Sequence, residues 1–294
     1  MQLLEIRESD LPIDGRDGAF HMALDSVLSE EFSRDVILRI YQFSQPTITL
    51  GVHQNPECLD QQSLESHGVD VSRRVTGGKA LLHYKGLTYS ILIPRDHPKA
   101  VGNVVESYKV LSQPVFQAVR KFNPGLKFEC LKKPELDTPI CFLDHDVETI
   151  ALDRSKIVGS AQKRNRKVIL QHGEISLVKP SMNPTEFFLS EGVVEHLDEM
   201  YANRVGYLFQ DMTRMDHGAY FRYKTQVFNL RSRMIEEFEK VFGKSQRVWL
   251  ESPLLEKVKA RARELDLSGK LLGTAEGVGV NLRPLDLSRV PLRN

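Results

Sequence analysis

The sequence predicts an α+β fold in which sheet-forming segments come first and helices follow. Most strand-like segments lie in the first 180 residues, and three of them form a candidate antiparallel meander with short polar connections. After residue 180, long amphipathic patterns indicate helices. The 294 residues, of which 41% are hydrophobic, allow a sizeable core. We therefore expect 1–294 to form a single domain whose residues 181–294 are mainly helical.

The first hundred residues contain one predicted helix and several predicted strands. Apolar side chains recur at three- and four-residue spacing from Phe20 to Phe32 and predict a helix. Residues 35–43 and 47–52 are rich in β-branched and aromatic side chains and predict a hairpin. Three further strands are predicted at 69–75, 80–83 and 87–94.

The remaining elements complete the α+β pattern. Residues 104–122 have helical periodicity, and Pro114 is expected to kink or split this helix. A strand is predicted at 126–131. The meander comprises 147–152, 156–163 and 168–178. Helices are predicted at 227–242 and 253–265.

Composition and charge exclude several classes of protein. Forty basic and 39 acidic side chains give a formal charge of +1, so no bulk field favours nucleic acid or a membrane surface. The N-terminal segment is acidic, unlike a signal peptide, and no apolar run approaches the roughly 18 residues that span a bilayer. Cys58, Cys130 and Cys141 include no CxxC pair, which argues against a disulfide framework and structural zinc. We expect a soluble, cytoplasmic protein that binds neither nucleic acid nor membrane.

A glycine-containing loop is the first candidate site. In the segment RRVTGGKALLH, Gly77 and Gly78 permit close approach of the backbone to a ligand, and Arg73, Arg74 and Lys79 place three cations around it. The alternative is a glycine hairpin with solvated charges.

Lys156 begins the second candidate site, the strand segment KIVGSAQKR. Strand alternation predicts that Lys156 shares one face with Val158, Ser160 and Gln162, with Gly159 on the other. A lysine that lies along a pocket wall stabilises developing negative charge strongly. The alternative, favoured by composition alone, is a lysine whose ammonium lies in water.

Cys141 is the third candidate, because it lies in a connection beside proline where a thiol can face a cleft. The run Asp144-His145-Asp146 that follows resembles part of a metal site, but we see no further ligands at useful spacing. We therefore expect a solvated turn there and no metal.

The segments RRVTGGKALLHYKGLTYS and KIVGSAQKRNRKVILQHG together resemble the biotin/lipoate protein ligase superfamily. They are most similar to the LipM-type lipoyl (octanoyl) transferases, which carry a cysteine upstream of the lysine strand, here Cys141. The resemblance implies a mixed, largely antiparallel sheet flanked by helices, similar to the catalytic domain of class II aminoacyl-tRNA synthetases and biotin ligases. It implies Cys141 and Lys156 as catalytic residues. The implied substrate-binding residues are Arg73, Arg74, Thr76, Gly77, Gly78, Lys79, His83, Gly159, Ser160, Ala161 and His172.

The resemblance also implies a reaction, in which an octanoyl group moves from an acyl carrier protein to a lysine of an apo lipoyl domain. The acceptor is the glycine cleavage H protein or a 2-oxoacid dehydrogenase E2. A thioester is already activated, so a cysteine accepts the acyl group without a nucleotide, and no cofactor is expected. A nearby ammonium favours the thiolate and polarises the carbonyl. Burying the acyl chain at about 0.8 kcal/mol per methylene favours a hydrophobic slot.

Three alternatives stay open. An ATP-dependent lipoate ligase activates a free carboxylate and has no need of Cys141. An amidotransferase moves an acyl group between lipoyl proteins through the same cysteine. A non-catalytic lipoyl-binding relative is the third alternative, which the presence of both Cys141 and Lys156 argues against.

Overall fold

A computed structural model of the chain describes residues 1–7, 11, 18–32, 34–129, 138–143, 149–189, 197–209 and 216–268. These residues form an eight-stranded main sheet, a three-stranded small sheet and six helices. The predictions for Cys130 and for the Asp144–Asp146 run lie outside them.

The main sheet is mixed and largely antiparallel, which confirms the fold prediction. Its strands are β1 (Leu3–Arg7), β2 (Val36–Tyr41), β6 (Leu87–Pro94), β7 (Lys127–Glu129), β8 (Thr149–Leu152), β9 (Ser155–Arg164), β10 (Val168–Ile175) and β11 (Ser245–Arg247). They lie in the order β11-β1-β2-β6-β10-β9-β8-β7, and only the β11-β1 and β1-β2 pairs are parallel. The predicted meander is confirmed as β8-β9-β10. Its first turn has positive φ at Asp153 and Arg154, as a two-residue hairpin loop with the right-handed twist requires.

The small sheet consists of β3 (Thr47–Leu50), β4 (Asp70–Arg73) and β5 (Leu81–His83), with β3 in the centre. The prediction of a hairpin between 35–43 and 47–52 is therefore wrong. All six residues of β2 are buried, and this strand pairs with β1 and β6 in the main sheet. The chain crosses to the small sheet before β3 begins, so the turn residues join two sheets.

Six helices surround the sheets. They are α1 (Gly18–Glu31), α2 (Gln61–His67), α3 (Val104–Arg120), α4 (Leu197–Arg204), α5 (His217–Phe242) and α6 (Ser252–Leu265). Pro114 lies within α3 and does not end it, because Leu111, Val115 and Ala118 hold the helix on the core. None of the helices in the described ranges is long and apolar enough to cross a membrane.

The two faces of the main sheet carry different layers. On β2, Leu38 packs in the core that contains α3 and α5, whereas its neighbour Ile37 packs in the core that contains α1 and α6. The small sheet belongs to a third core, with Phe142 and parts of the 187–205 region. The candidate site lies where α1, the small sheet and strands β9 and β10 meet.

Candidate active site

A cavity connects the glycine-loop region with the lysine strand. It contains about 360 Å³ of empty space, part of it open to solvent. Residues 159–161 of β9 and 172–174 of β10 form one part of its wall. The other lining residues are Met22, Thr49, Arg74, Leu81, His83, Thr88 and Cys141. The space therefore combines a thiol, buried polar groups and apolar surface.

Cys141 and Lys156 lie side by side at this cavity. Cys141 begins a short 3₁₀ helix, and its backbone is fixed by a 2.7 Å hydrogen bond from its N–H to the carbonyl of Ala80. The Lys156 Nζ donates a 3.2 Å hydrogen bond to the backbone carbonyl of Cys141 and stands 5.2 Å from the centre of the Phe142 ring. The Lys156 side chain is 7% exposed, so its charge is largely removed from water. An ammonium in this position acts on groups at Cys141 with little screening.

A β-bulge in β9 explains how Lys156 reaches Cys141. Val158 pairs with Ile150 and Lys156 pairs with Ala151, so Ile157 is an extra residue in β9. The predicted alternation, with Lys156 and Val158 on one face, is therefore wrong. Val158 packs in the α3–α5 core, whereas the Lys156 chain lies on the face that carries Gly159.

Gly159 provides the space that the Lys156 side chain occupies. A Cβ at this position would lie 3.0 Å from the Phe142 ring and 3.2 Å from Lys156 Cε. Both distances are tighter than ordinary van der Waals contact, so a larger residue here would displace the lysine or the ring.

Arg74 holds the glycine loop from inside the protein. Its guanidinium donates hydrogen bonds to the carbonyls of Thr49 (2.8 Å), Gly77 (2.9 Å) and Lys79 (2.7 Å). Burial lowers the pKa of Arg74, and the negative charge of a Cys141 thiolate raises it, so the two groups interact across the cavity.

Asp25 and His172 form a buried pair beside the loop. The ionised Asp25 only accepts hydrogen bonds, so His172 Nδ1 carries the proton of their 3.0 Å contact. His172 Nε2 then accepts from the Thr76 hydroxyl at 2.7 Å, and Arg74 Nε donates to that hydroxyl at 3.1 Å. Burial lowers the pKa of His172, which keeps the ring neutral and suits this arrangement. On the far side, Asp25 forms a fully buried ion pair with Arg39.

His83 and Glu174 form a second buried pair. His83 Nδ1 lies 3.0 Å from Glu174 Oε2, and His83 Nε2 lies 3.0 Å from the Thr49 hydroxyl. The Thr88 hydroxyl donates to the same Glu174 oxygen. Two carboxylate–histidine pairs thus border one cavity, and their hydrogen bonds fix the orientation of both rings.

Comparison with known proteins identifies the family. The family model of the lipoyl protein ligase A/B catalytic domain matches residues 17–206, which contain every residue of the site. The chain belongs to the lipoyl protein ligase A/B catalytic-domain family.

Two relatives carry the same name. Octanoyltransferase LipM of Geobacillus kaustophilus is 36% identical over 170 residues, which are 54% of this chain and 61% of that protein. Octanoyltransferase LipM of Bacillus subtilis is 31% identical over 201 residues, which are 63% of this chain and 72% of that protein. The match thus spans less than two thirds of the length of the Geobacillus relative.

Solved structures share the fold of this family. A lipoate-protein ligase A bound with ATP has a TM-score of 0.63 at 17% identity and covers 96% of this chain and 99% of that one. A bipartite lipoate protein ligase of Thermoplasma acidophilum, described with its E2 lipoyl domain, has a TM-score of 0.64 at 18% identity, with 98% and 100% covered. At this identity the likeness concerns the architecture.

The structure brings most of the predicted site residues of this family member to the cavity. Those in its wall are Arg74, His83, Cys141, Gly159, Ser160, Ala161 and His172. Lys156 contacts Cys141 from beside the wall, and Thr76 lies behind His172.

The other predicted residues lie outside the cavity wall. The Arg73 guanidinium donates to the carbonyls of Gly51, Val52 and Gln54 and so braces the neighbouring turn. Gly78 has a φ of 88°, a conformation that favours glycine. At Gly77 a side chain would meet no other atoms, because a Cβ there would lie in open space. Lys79 contributes its carbonyl to Arg74.

Three further residues of the site are not predicted from the sequence. Asp25 looked like one polar residue in a helix, and Glu174 like one in a strand, because their partners are distant in sequence. The structure shows that α1 is buried over twelve consecutive residues, so an aspartate there needs a partner, whereas the sequence pattern indicates only an amphipathic helix. Gly51 is the third, because a Cβ there would lie 1.9 Å from the Gly78 carbonyl oxygen, a contact that only the structure reveals.

Proposed function

We propose that the protein is an octanoyltransferase that moves an octanoyl group from acyl carrier protein to a lysine of a lipoyl domain through a Cys141 thioester. The observation that carries the proposal is the contact between Lys156 Nζ and the Cys141 carbonyl at the wall of a partly apolar cavity. The LipM relatives support the same reaction. The proposal takes residues 1–294 as one catalytic domain in the cytoplasm, where its protein substrates occur.

The first step forms the acyl-enzyme. The Cys141 thiolate attacks the thioester carbonyl of the octanoyl carrier protein, and the carbonyl oxygen gains negative charge. Lys156, at the Cys141 carbonyl, stabilises that charge as it forms. The carbon–sulfur bond to the carrier breaks, the carrier leaves as a thiol after taking a proton, and the octanoyl group remains on Cys141.

The second step forms the amide. The acceptor lysine, as the neutral amine, attacks the Cys141 thioester, the carbon–sulfur bond breaks, and the proton that the nitrogen loses passes to the departing Cys141 sulfur. The proton balance is neutral overall, since one thioester and one amine yield one thiol and one amide. Lys156 stabilises the oxyanion in this step as well. Neither step consumes a nucleotide.

The apolar part of the cavity is the proposed site of the octanoyl chain. Met22, Leu81, Gly159 and Ala161 line it. Each buried methylene contributes about 0.8 kcal/mol to binding, which favours a medium-length chain over a short acyl group.

A reconstituted transfer reaction tests the proposal. Octanoyl carrier protein, an apo lipoyl domain and the purified protein are mixed without ATP, and the mass of the lipoyl domain is followed. We expect octanoylation of the domain by the wild type and none by Cys141→Ser. Transfer that requires ATP and free octanoate, or that Cys141→Ser retains, would contradict the proposal and support a ligase.

A further inference from the structure

The outward side of α5 carries an exposed apolar stripe between cations. Phe221 is 73% exposed and Phe228 is 68% exposed, one heptad apart on the helix. Arg222 and Lys224 flank this stripe, and both are exposed. We call Phe221, Arg222, Lys224 and Phe228 the α5 face. The opposite side of α5 is buried, so the helix is held firmly and presents these side chains from a fixed position.

The first part of α5 carries only positively charged side chains. From residue 217 to residue 235 the sequence contains four arginines and lysines and no aspartate or glutamate. Within the described residues, no carboxylate forms an ion pair with Arg222 or Lys224. Farther along the helix, Arg233 pairs with Glu236. In a chain of net charge +1, such a segment is a local feature that favours an acidic partner.

Hydrogen bonds connect the buried side of α5 to a turn next to the cavity. Tyr223, between Arg222 and Lys224, donates from its hydroxyl to the carbonyl of Lys85 at 2.8 Å. Gln42 donates both to this hydroxyl and to the carbonyl of Gly86. Gly86 packs directly on the carboxylate of Glu174, which lines the cavity. The part of α5 that carries the α5 face is therefore held against the turn next to the site.

We propose that the α5 face is the docking surface for an acidic helix of the acyl donor protein. Two phenylalanines at heptad spacing fit the packing surface of another helix, and the flanking cations select negative charge and accelerate encounter. The identification of the partner as the octanoyl carrier protein rests on the proposed function; the acidic, helical character of the partner does not.

Two double variants test the proposal. Phe221→Ser with Phe228→Ser removes the apolar stripe, and Arg222→Glu with Lys224→Glu reverses the charge. Trp249→Ser and Arg263→Glu are matched controls, because both residues are exposed and Arg263 lies on α6, on the opposite face of the main sheet. The measured quantity is the rate of Cys141 acylation from octanoyl carrier protein and, separately, from octanoyl-pantetheine.

We expect each double variant to lower kcat/KM for octanoyl carrier protein about tenfold or more, as loss of interface anchors does. Acylation by octanoyl-pantetheine is expected to stay unchanged, and the controls to behave like the wild type. Equal losses with both donors, unchanged kinetics with the carrier protein, or a loss confined to transfer onto the lipoyl domain would each overturn the proposal.

Direct binding separates this proposal from the proposed function. Titration of the 294-residue Cys141→Ser protein with carrier protein needs no acyl transfer, and we expect the double variants to weaken the affinity for carrier protein about tenfold. Acylation that is insensitive to the variants leaves the transferase proposal standing and removes the docking surface. If carrier binding depends on the α5 face but Cys141 is not acylated, the docking surface stands and the transferase proposal falls. The proposal would also be contradicted if the variants left carrier binding unchanged. The altered property would then be binding to vesicles of phosphatidylglycerol or self-association.

Discussion

Single side chains in this site act through contacts that their residue types alone do not reveal. The sequence groups Arg73, Arg74 and Lys79 as three cations around a loop, but Arg73 and Arg74 each bind several backbone carbonyls. Buried carbonyl groups need donors, and a planar guanidinium supplies five. Arg74 therefore shapes the loop while its charge remains within reach of the Cys141 sulfur.

Replacement of Lys156 tests the residue-level account. Lys156→Met keeps much of the aliphatic volume but removes the ammonium next to Cys141. We expect acyl-enzyme formation to slow by about 10²–10³-fold, since one oxyanion-stabilising group is lost, with the circular dichroism spectrum unchanged. Lys163→Met on the same strand is the control, because its side chain is exposed, and it is expected to react normally. Wild-type rates in Lys156→Met would remove the lysine from the mechanism.

Strands and loops determine which side chains meet. The Ile157 bulge turns Lys156 toward Cys141, and the close contact between Gly51 and the Gly78 carbonyl fixes the glycine loop against β3. In the first case an extra residue reorients the adjacent lysine, and in the second a missing side chain lets two backbone segments come close together.

Substitution of Gly51 tests the role of that loop contact. A Cβ at Gly51 would overlap the Gly78 carbonyl oxygen, so Gly51→Ala must shift backbone atoms. We expect a loss of about 1–3 kcal/mol in the free energy of unfolding, measured by urea denaturation, as overpacking usually costs. Gly77→Ala is the control, because its Cβ would meet open space. Equal stability of the two variants would show that the loop adapts freely.

The sequence predicts the meander and four of the six helices in the described residues, because hydrophobic periodicity and turn residues are local signals; the short α2 and α4 are not predicted. The meander lies at the predicted place, and α5 contains the predicted helix at 227–242. The sequence does not predict features that depend on contacts between segments far apart in the chain. β2 and β3 are adjacent in the chain but pair in different sheets, the Ile157 bulge breaks the alternation, and the carboxylates of Asp25 and Glu174 find their histidines 147 and 91 residues away.

At the scale of the whole molecule, buried neutral histidines link stability to pH. Burial lowers the pKa of His21 and of His172. The unfolded chain therefore binds protons below a pH of about 6.5 that the folded protein does not, so stability is complete above that pH and falls below it.

This linkage gives a measurable slope. As the pH falls below about 6.5, we expect the free energy of unfolding to fall by up to about 1.4 kcal/mol per pH unit for each of the two histidines. Urea denaturation at a series of pH values measures it, and His172→Gln is expected to reduce the slope. His217→Gln, at the exposed start of α5, is the control. Constant stability between neutral and mildly acidic pH would contradict the neutral state of the buried rings.

In the proposed reaction, Cys141 carries the acyl group between two proteins. Intact-protein mass spectrometry after mixing with octanoyl carrier protein alone, without ATP or acceptor, tests it most directly. We predict one octanoyl adduct, located on Cys141 by peptide mapping and discharged when the apo lipoyl domain is added. An adduct absent from Cys141, or one that the lipoyl domain does not discharge, would contradict the account.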